Sequence, residues 1–167
     1  MSEIEIRPFV AADLDDVFSV ILPIQREEFG IAITADDQPD LAVISDFYQS
    51  GKGQFWVAVR NGQVVGTLGL KDIGNNQTAL RKMFVAADVR GREHNVAARL
   101  LAELVGHAEN QGIKEIFLGT TDKFLAAHRF YEKNGFTEVP KGDLPRSFPL
   151  MAVDTKFYRR RIGTAES

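Results

Sequence analysis

Val96, Ala97, Leu100, Leu101, Leu104, Val105 and Ala108 recur at helical spacing, and an apolar run over 113–120 starts directly after Gly112. The spacing predicts a long amphipathic helix, stopped by the glycine and followed by a strand. Another strand, roughly Thr78 to Val85, precedes that helix. Strand, helix, strand with no room for a hairpin is a right-handed crossover, so the two strands run parallel. No other feature constrains the fold as much.

Upstream of the crossover the pattern is antiparallel. Ile4, Ile6 and Pro8 alternate in an opening strand. Leu14, Val17, Phe18, Ile21 and Leu22 then recur at helical spacing behind Asp13, and Pro23 is expected to close that helix. Residues 24 to 37 read as irregular. A second helix is expected from about Pro39 to Ser50, with Leu41, Ile44 and Tyr48 on one face. The runs 55–59 and 64–70 flank Asn61-Gly62, the pair preferred in a type I′ turn, and so form a hairpin. The strand near 78–85 follows the loop Gly74-Asn75-Asn76 and completes the meander.

Downstream, a helix over 124–134 and a strand at 136–139 are expected. A loop from Pro140 to Pro149 and a last strand over about Leu150 to Tyr158 follow. The order is β-α-α-β-β-β-α-β-α-β-β. It describes one α/β domain over 1–158 with a mixed sheet: an antiparallel N-terminal meander plus a parallel βαβ crossover. Residues 159–167, with Arg159-Arg160-Arg161, read as a polar tail.

Composition narrows the function. The 167 residues are 44% hydrophobic and 26% charged, enough for a substantial core. A net charge of −3 without a basic stripe argues against nucleic acid and against a membrane surface. The absence of cysteine excludes disulfides, thiolate metal sites and cysteine nucleophiles, and suits a reducing compartment. The N-terminal residues lack a leader's basic start and apolar run, so a cytoplasmic, soluble protein is expected. His94 and His107 stand without partners at metal-ligand spacing, and no metal is expected.

Two segments carry candidate chemistry. The loop Val89-Arg90-Gly91-Arg92-Glu93-His94-Asn95-Val96-Ala97 enters the long helix. A helix start offers unpaired N–H groups and the positive end of a dipole, which suits an anion. Arginine there adds charge-assisted hydrogen bonds. In 127–136, Tyr131 sits at a helix end four residues before Gly135. With an ordinary pKa near ~10, a tyrosine hydroxyl keeps its proton at neutral pH and can act as a general acid.

The order Ala-x-x-x-Tyr-x-x-x-Gly-Phe from Ala127 to Phe136 resembles the closing motif of the GNAT acyltransferases, the Gcn5-related N-acetyltransferase superfamily. The element order resembles that family along nearly the whole chain. The family's loop is written Gln/Arg-x-x-Gly-x-Gly/Ala. The helix pattern places Arg92, Asn95 and Ala97 at its fixed positions. A competing register uses Arg90, with Glu93 and Asn95 at the glycine positions. Which arginine anchors a pyrophosphate stays open.

The resemblance implies acetyl-coenzyme A as cofactor, bound by Met83, Phe84, Val85, Arg90, Gly91, Arg92, Glu93, His94, Asn95, Val96, Ala97, Thr120 and Phe124. It further implies that Tyr131 stands beside the coenzyme A sulfur, and that a bulge in the 80–85 strand exposes an N–H near Phe84 or Val85 to polarise the thioester carbonyl. The family's glutamate on that strand is missing, since Gln77-Thr78-Ala79-Leu80 holds no carboxylate. Glu28, from the segment that borders the acceptor site in the family, stands in as candidate base, with Gln25 and Phe29 as acceptor contacts; a chain of waters is the other route. His128 either orients Tyr131 or is structural. The expected function is transfer of an acetyl group to a primary amine of a small molecule or an exposed amino group. The mild negative charge favours a cationic acceptor, and a homodimer stays open. The rival reading is a coenzyme A-binding sensor or partner-binding module without turnover. An NAD-type domain is disfavoured because no Gly-x-Gly-x-x-Gly follows the first strand.

Overall fold

The structure, a computed structural model, describes residues 3–28, 30, 34–91, 94–121, 125–151 and 154–162, with Glu28 and Ala35 described by backbone alone. Among the described residues seven strands form one mixed sheet. They are β1 (Ile4–Pro8), β2 (Gln54–Arg60), β3 (Gln63–Gly74), β4 (Gln77–Val85), β5 (Glu115–Thr120), β6 (Thr137–Val139) and β7 (Lys156–Arg161), in spatial order β1-β2-β3-β4-β5-β7-β6. The α-helices among the described residues are α1 (Leu14–Pro23), α2 (Pro39–Ala42), α3 (Ile44–Phe47), α4 (Val96–Gln111) and α5 (Leu125–Lys133). The parallel pair is β4 with β5, as the crossover required. Among the described residues no helix is long and apolar enough to cross a membrane.

Several elements form for the reasons read in the sequence. Asn61 and Gly62 have φ of 53° and 77°, the two positive values a type I′ turn needs. Gly112 ends α4 at φ 73°, where a residue with a Cβ would be strained. Side chains alternate across β2. Trp56 and Ala58 join the core under α4, while Phe55 and Val57 join the core under α1 to α3. Helices therefore cover both faces of the sheet.

Other boundaries differ. Pro23 does not close the first helix, because the chain continues in a π turn over Ile24–Glu28. Proline lacks the N–H for the ordinary i→i−4 bond and crowds the carbonyl four residues back, which favours a wider turn. So 24–28 is ordered helix rather than irregular chain. The expected helix over 39–50 is broken into α2 and α3 at Val43, which has φ −134° and ψ 48°. Leu41, Ile44 and Tyr48 are nevertheless buried together.

The last strand is corrected from 150–158 to Lys156–Arg161. Ahead of it, the Asp154 N–H donates to the Met151 carbonyl at 3.0 Å and the Met151 N–H to the Asp154 carboxylate at 3.4 Å. Arg159, Arg160 and Arg161 thus sit in the sheet rather than in a solvated tail. Arg160 donates to the Asn134 carbonyl at 2.8 Å. Arg159 and Arg161 lie 4.0 and 3.9 Å from Glu115 on β5.

The parallel pairing is short. β4 and β5 match only at Gln77↔Glu115, Thr78↔Ile116 and Ala79↔Phe117. Past Ala79 the two strands splay, while β5 stays paired with β7 to Thr120. A second irregularity lies on the other side of β4. There Gly69 faces Arg81 and Thr67 faces Phe84, so Lys82 and Met83 together oppose Leu68. This is a β-bulge, with Lys82 at φ 58° and its carbonyl held by the Thr67 hydroxyl at 2.7 Å.

Candidate active site

The wedge between the splayed strands opens into a cavity of about 440 Å³. Its walls are the β4 residues Leu80 to Val85, Gly119 and Thr120 at the end of β5, the start of α5 with Tyr131, and the π turn at Ile24 and Gln25. Phe148, Pro149, Met151 and Asp154 close the remaining side. Ligands of open α/β sheets lie beyond the carboxyl ends of strands, which is where this cavity is.

Tyr131 is 6% exposed and is held by edge-on contacts with Phe130 and Phe136, with Tyr158 tilted at 6.0 Å. The Asn134-Gly135 stop fixes its position. Gly135 has φ 90°, and the Asn134 and Phe136 N–H groups both return to the Tyr131 carbonyl. The Tyr131 hydroxyl meets the Met83 thioether at 3.9 Å, and among the described residues no oxygen accepts its proton. Burial pushes this phenol well above its ordinary pKa. The group is a protonated donor beside a thioether in a largely apolar cavity.

His128 is buried, and its Nε2 pairs with the Thr121 carbonyl at 2.9 Å. It ties α5 to the end of β5 and makes no bond to Tyr131 among the described residues. Its place is structural.

At the other end of the cavity, the Arg90 Nε donates to the Val85 carbonyl at 2.8 Å. Gly91 turns at φ 101°, and Asn95, at φ 53° and ψ 37°, takes the left-handed position before α4. Asparagine is among the few non-glycine residues that adopt it readily. The Asn95 N–H closes the loop onto the Gly91 carbonyl at 3.0 Å. The first N–H groups of α4, including Val96 and Ala97, have no carbonyl within the helix to bond.

A family model described as the acetyltransferase (GNAT) family matches residues 18–136. The chain belongs to the GNAT acetyltransferase family. A GNAT-family acetyltransferase from Staphylococcus aureus Mu50 superimposes with a TM-score of 0.92 at 42% identity, covering 96% of this chain and 99% of that one. An N-acetylaspartate synthetase of Danio rerio is 36% identical over 102 residues, which cover 60% of this chain and 36% of that protein. This chain thus spans well under half the length of that relative. An N-acetylglutamate synthase from Neisseria gonorrhoeae, solved with coenzyme A and N-acetyl-glutamate, shares the fold at a TM-score of 0.74 and 16% identity, over 96% of this chain and 35% of that one.

Acetyl-coenzyme A is the acyl donor that goes with a GNAT acetyltransferase, and the residues present fit it. Among the described residues the β4 edge beyond Ala79 lacks a strand partner on the β5 side, so an extended polar arm can bond there. The α4 start suits a pyrophosphate. Met83, Phe84, Val85, Arg90, Thr120, Gln25 and Tyr131 from the sequence reading all line the cavity. The bulge lies at Lys82–Met83, just upstream of the expected Phe84 and Val85. Gly91, His94 and Asn95 lead into α4, and Val96 and Ala97 are its first two residues. The Val96 side chain is buried in the core, leaving only its N–H for an anion. Arg92, Glu93, Phe124 and Phe29 lie outside the described residues, as does the Glu28 side chain. The assignments to them, and the choice between Arg90 and Arg92, rest on sequence alone.

The Gln25 amide exchanges two hydrogen bonds with Gln38, at 3.0 and 2.9 Å. The Gln38 oxygen also accepts from the Lys82 ammonium at 2.7 Å. Lys82 lies 3.8 Å from Asp40, which accepts the Tyr48 hydroxyl proton at 2.6 Å. Burial lowers the Lys82 pKa to about 8 despite Asp40. The sequence reading missed this polar network, and it missed Asp154.

Asp154 lines the cavity, and burial raises its carboxyl above the ordinary value. It packs against Gly119. A Cβ at 119 would stand 2.5 Å from the Asp154 Oδ2, with backbone angles that any residue adopts. Gly119→Ala is therefore expected to displace the carboxylate without straining the backbone. It should lower kcat while leaving coenzyme A affinity intact, read by steady-state kinetics and calorimetry. Unchanged turnover would show that the Asp154 position does not matter.

Proposed function

We propose that this protein transfers an acetyl group from acetyl-coenzyme A to the primary amine of a small molecule, with Tyr131 as general acid and Asp154 as general base. The observation that carries the reading is the Tyr131 hydroxyl, kept protonated by burial and without an oxygen acceptor among the described residues, in the wedge between β4 and β5. A binding module without turnover has no use for such a donor.

Bound acetyl-coenzyme A supplies an activated thioester. The chain's own residues supply three things. Among the described residues β4 past the bulge has no partner on its β5 side, so a backbone N–H there can stabilise a developing oxyanion. Tyr131 holds a proton for the departing sulfur. Asp154 lines the same cavity and takes the proton that an incoming ammonium must lose. Its raised pKa makes it a stronger base than an ordinary carboxylate. In this reading Asp154 stands in for the glutamate that β4 lacks; Glu28, whose side chain lies outside the described residues, stays the candidate that the sequence offers. The names of the relatives, N-acetylaspartate synthetase and N-acetylglutamate synthase, support a small acceptor.

The test combines binding with turnover. Acetyl-coenzyme A should bind by calorimetry, and thiol release should depend on added amine. Asp154→Asn should lower kcat by about 10²-fold at neutral pH. In the wild type, activity should fall as pH drops through the raised Asp154 pKa, because the base is then protonated; that limb should vanish in the variant. An identical acidic limb in both proteins would remove Asp154 from the mechanism. Tight binding without turnover across a broad amine panel would favour the module.

A further inference from the structure

Arg81 lines the cavity, and the transfer reaction leaves its chemistry unused. In a regular strand, Arg81 and Lys82 would point to opposite faces. The bulge changes that. Leu80 and Met83 turn toward the α4 side, while Arg81 and Lys82 both turn toward α2 and α3. Lys82 is engaged with Gln38 and Asp40. Arg81 is not engaged in the same way. Its guanidinium lies over the Phe47 ring, 5.6 Å from the centroid, and donates to the Met151 thioether at 3.3 Å. Among the described residues no carboxylate comes within the 4.0 Å of an ion pair. A guanidinium has five N–H donors in a planar fork, and a thioether is a weak acceptor. The remaining donors are open to the cavity, since no buried polar atom among the described residues is left without a partner.

The coenzyme A pyrophosphate does not account for this cation. Arg81 is four residues upstream of Val85, or ~13 Å along the strand, and faces away from α4. It stands on the acceptor side, where Asp154 feels its charge. The pairing of a free guanidinium with a separate carboxylate matches a ligand that carries both signs.

We propose that the acceptor is an amino acid: an amine whose own carboxylate is bound by Arg81, while its ammonium faces Asp154. This rests on the acetyl-transfer reading above and names its substrate class. The planar fork of Arg81 can donate two parallel hydrogen bonds to a carboxylate, and the Phe47 ring lies 5.6 Å from the guanidinium carbon. The neighbouring Lys82 adds positive field. A purely cationic acceptor, the expectation from net charge, would have to bring its charge against both.

The test uses product-side ligands, so that it does not depend on turnover. The full chain, saturated with coenzyme A, is titrated with N-acetylglycine, N-acetyl-L-leucine, N-acetyl-β-alanine and N-acetyl-4-aminobutyrate, each against its carboxamide. At least one acid should bind about tenfold or more tightly than its amide. Arg81→Met should abolish that preference with coenzyme A affinity unchanged, and Arg81→Lys should restore part of it. Equal binding of acid and amide throughout, or a preference that survives in Arg81→Met, would overturn the inference. The wild-type comparison decides alone if the variant does not fold. A carboxylate preference without thioester turnover on the free amino acids would instead sink the transfer reading and leave this site standing.

Discussion

Replacing Tyr131 with phenylalanine is expected to lower kcat by about 10²- to 10³-fold and to leave coenzyme A affinity unchanged. The substitution removes one oxygen and little else. The ring keeps its contacts with Phe130, Phe136 and Tyr158. The lost hydroxyl leaves no oxygen unsatisfied, because its contact is the Met83 sulfur at 3.9 Å. Stability should therefore hold, and the loss should appear in turnover rather than in binding. Thiol release measured at saturating acetyl-coenzyme A, together with calorimetry, separates the two. Wild-type turnover in Tyr131→Phe would end the general-acid assignment.

The second large effect is on stability, at Lys82. Its folded pKa of about 8 lies below the ordinary 10.5, mainly because burial disfavours the charged form. Between these values the unfolded chain binds more protons than the folded one, so stability rises with pH. At ~1.4 kcal/mol per pH unit, the interval amounts to roughly 3 kcal/mol. Below pH 8 both states are protonated and the contribution is constant. Lys82→Met keeps a side chain of similar length and removes the titration. The unfolding free energy of the wild type relative to Lys82→Met should thus climb by about 3 kcal/mol from pH 8 to 10.5, read from denaturant melts. A flat difference would place the Lys82 ammonium in water rather than in the network with Gln38 and Asp40.

The parts of the fold visible in the sequence were those set by local physics. Asn61-Gly62 needs no partner to demand positive φ, and Gly112 and Gly135 stop their helices by the same conformational freedom. The α4 pattern and the run after it led to the parallel pair. Tyr131 was legible because its surroundings, the helix end and the glycine, are contiguous in the chain.

What the sequence hid depends on pairing between distant segments. The bulge at Lys82 exists only once β3 is in register with β4, so a reading of β4 alone would send Arg81 and Lys82 to opposite faces. Gln25 and Gln38 are separated by 13 residues and meet only because the chain continues as a π turn past Pro23. Asp154 was read into a strand that begins two residues later, and its nearness to Gly119 is a contact between elements. Arg159 to Arg161 looked like a solvated end because their partners, Glu115 and the Asn134 carbonyl, are far away in sequence.

The three-residue seam between β4 and β5 has one more consequence, for how the folded chain meets other chains. An unpaired strand edge is ordinarily a template for aggregation, and proteins blunt it with charge, proline or cover. Here the bare edge lies inside the sheet, not at its rim, with β5 on one side and Phe148-Pro149 closing the gap. Arg81 and Lys82 stand along it as well. The fold therefore keeps open backbone hydrogen-bonding groups for a ligand inside the sheet, away from the rims at β1 and β6 where a bare edge would template edge-to-edge association.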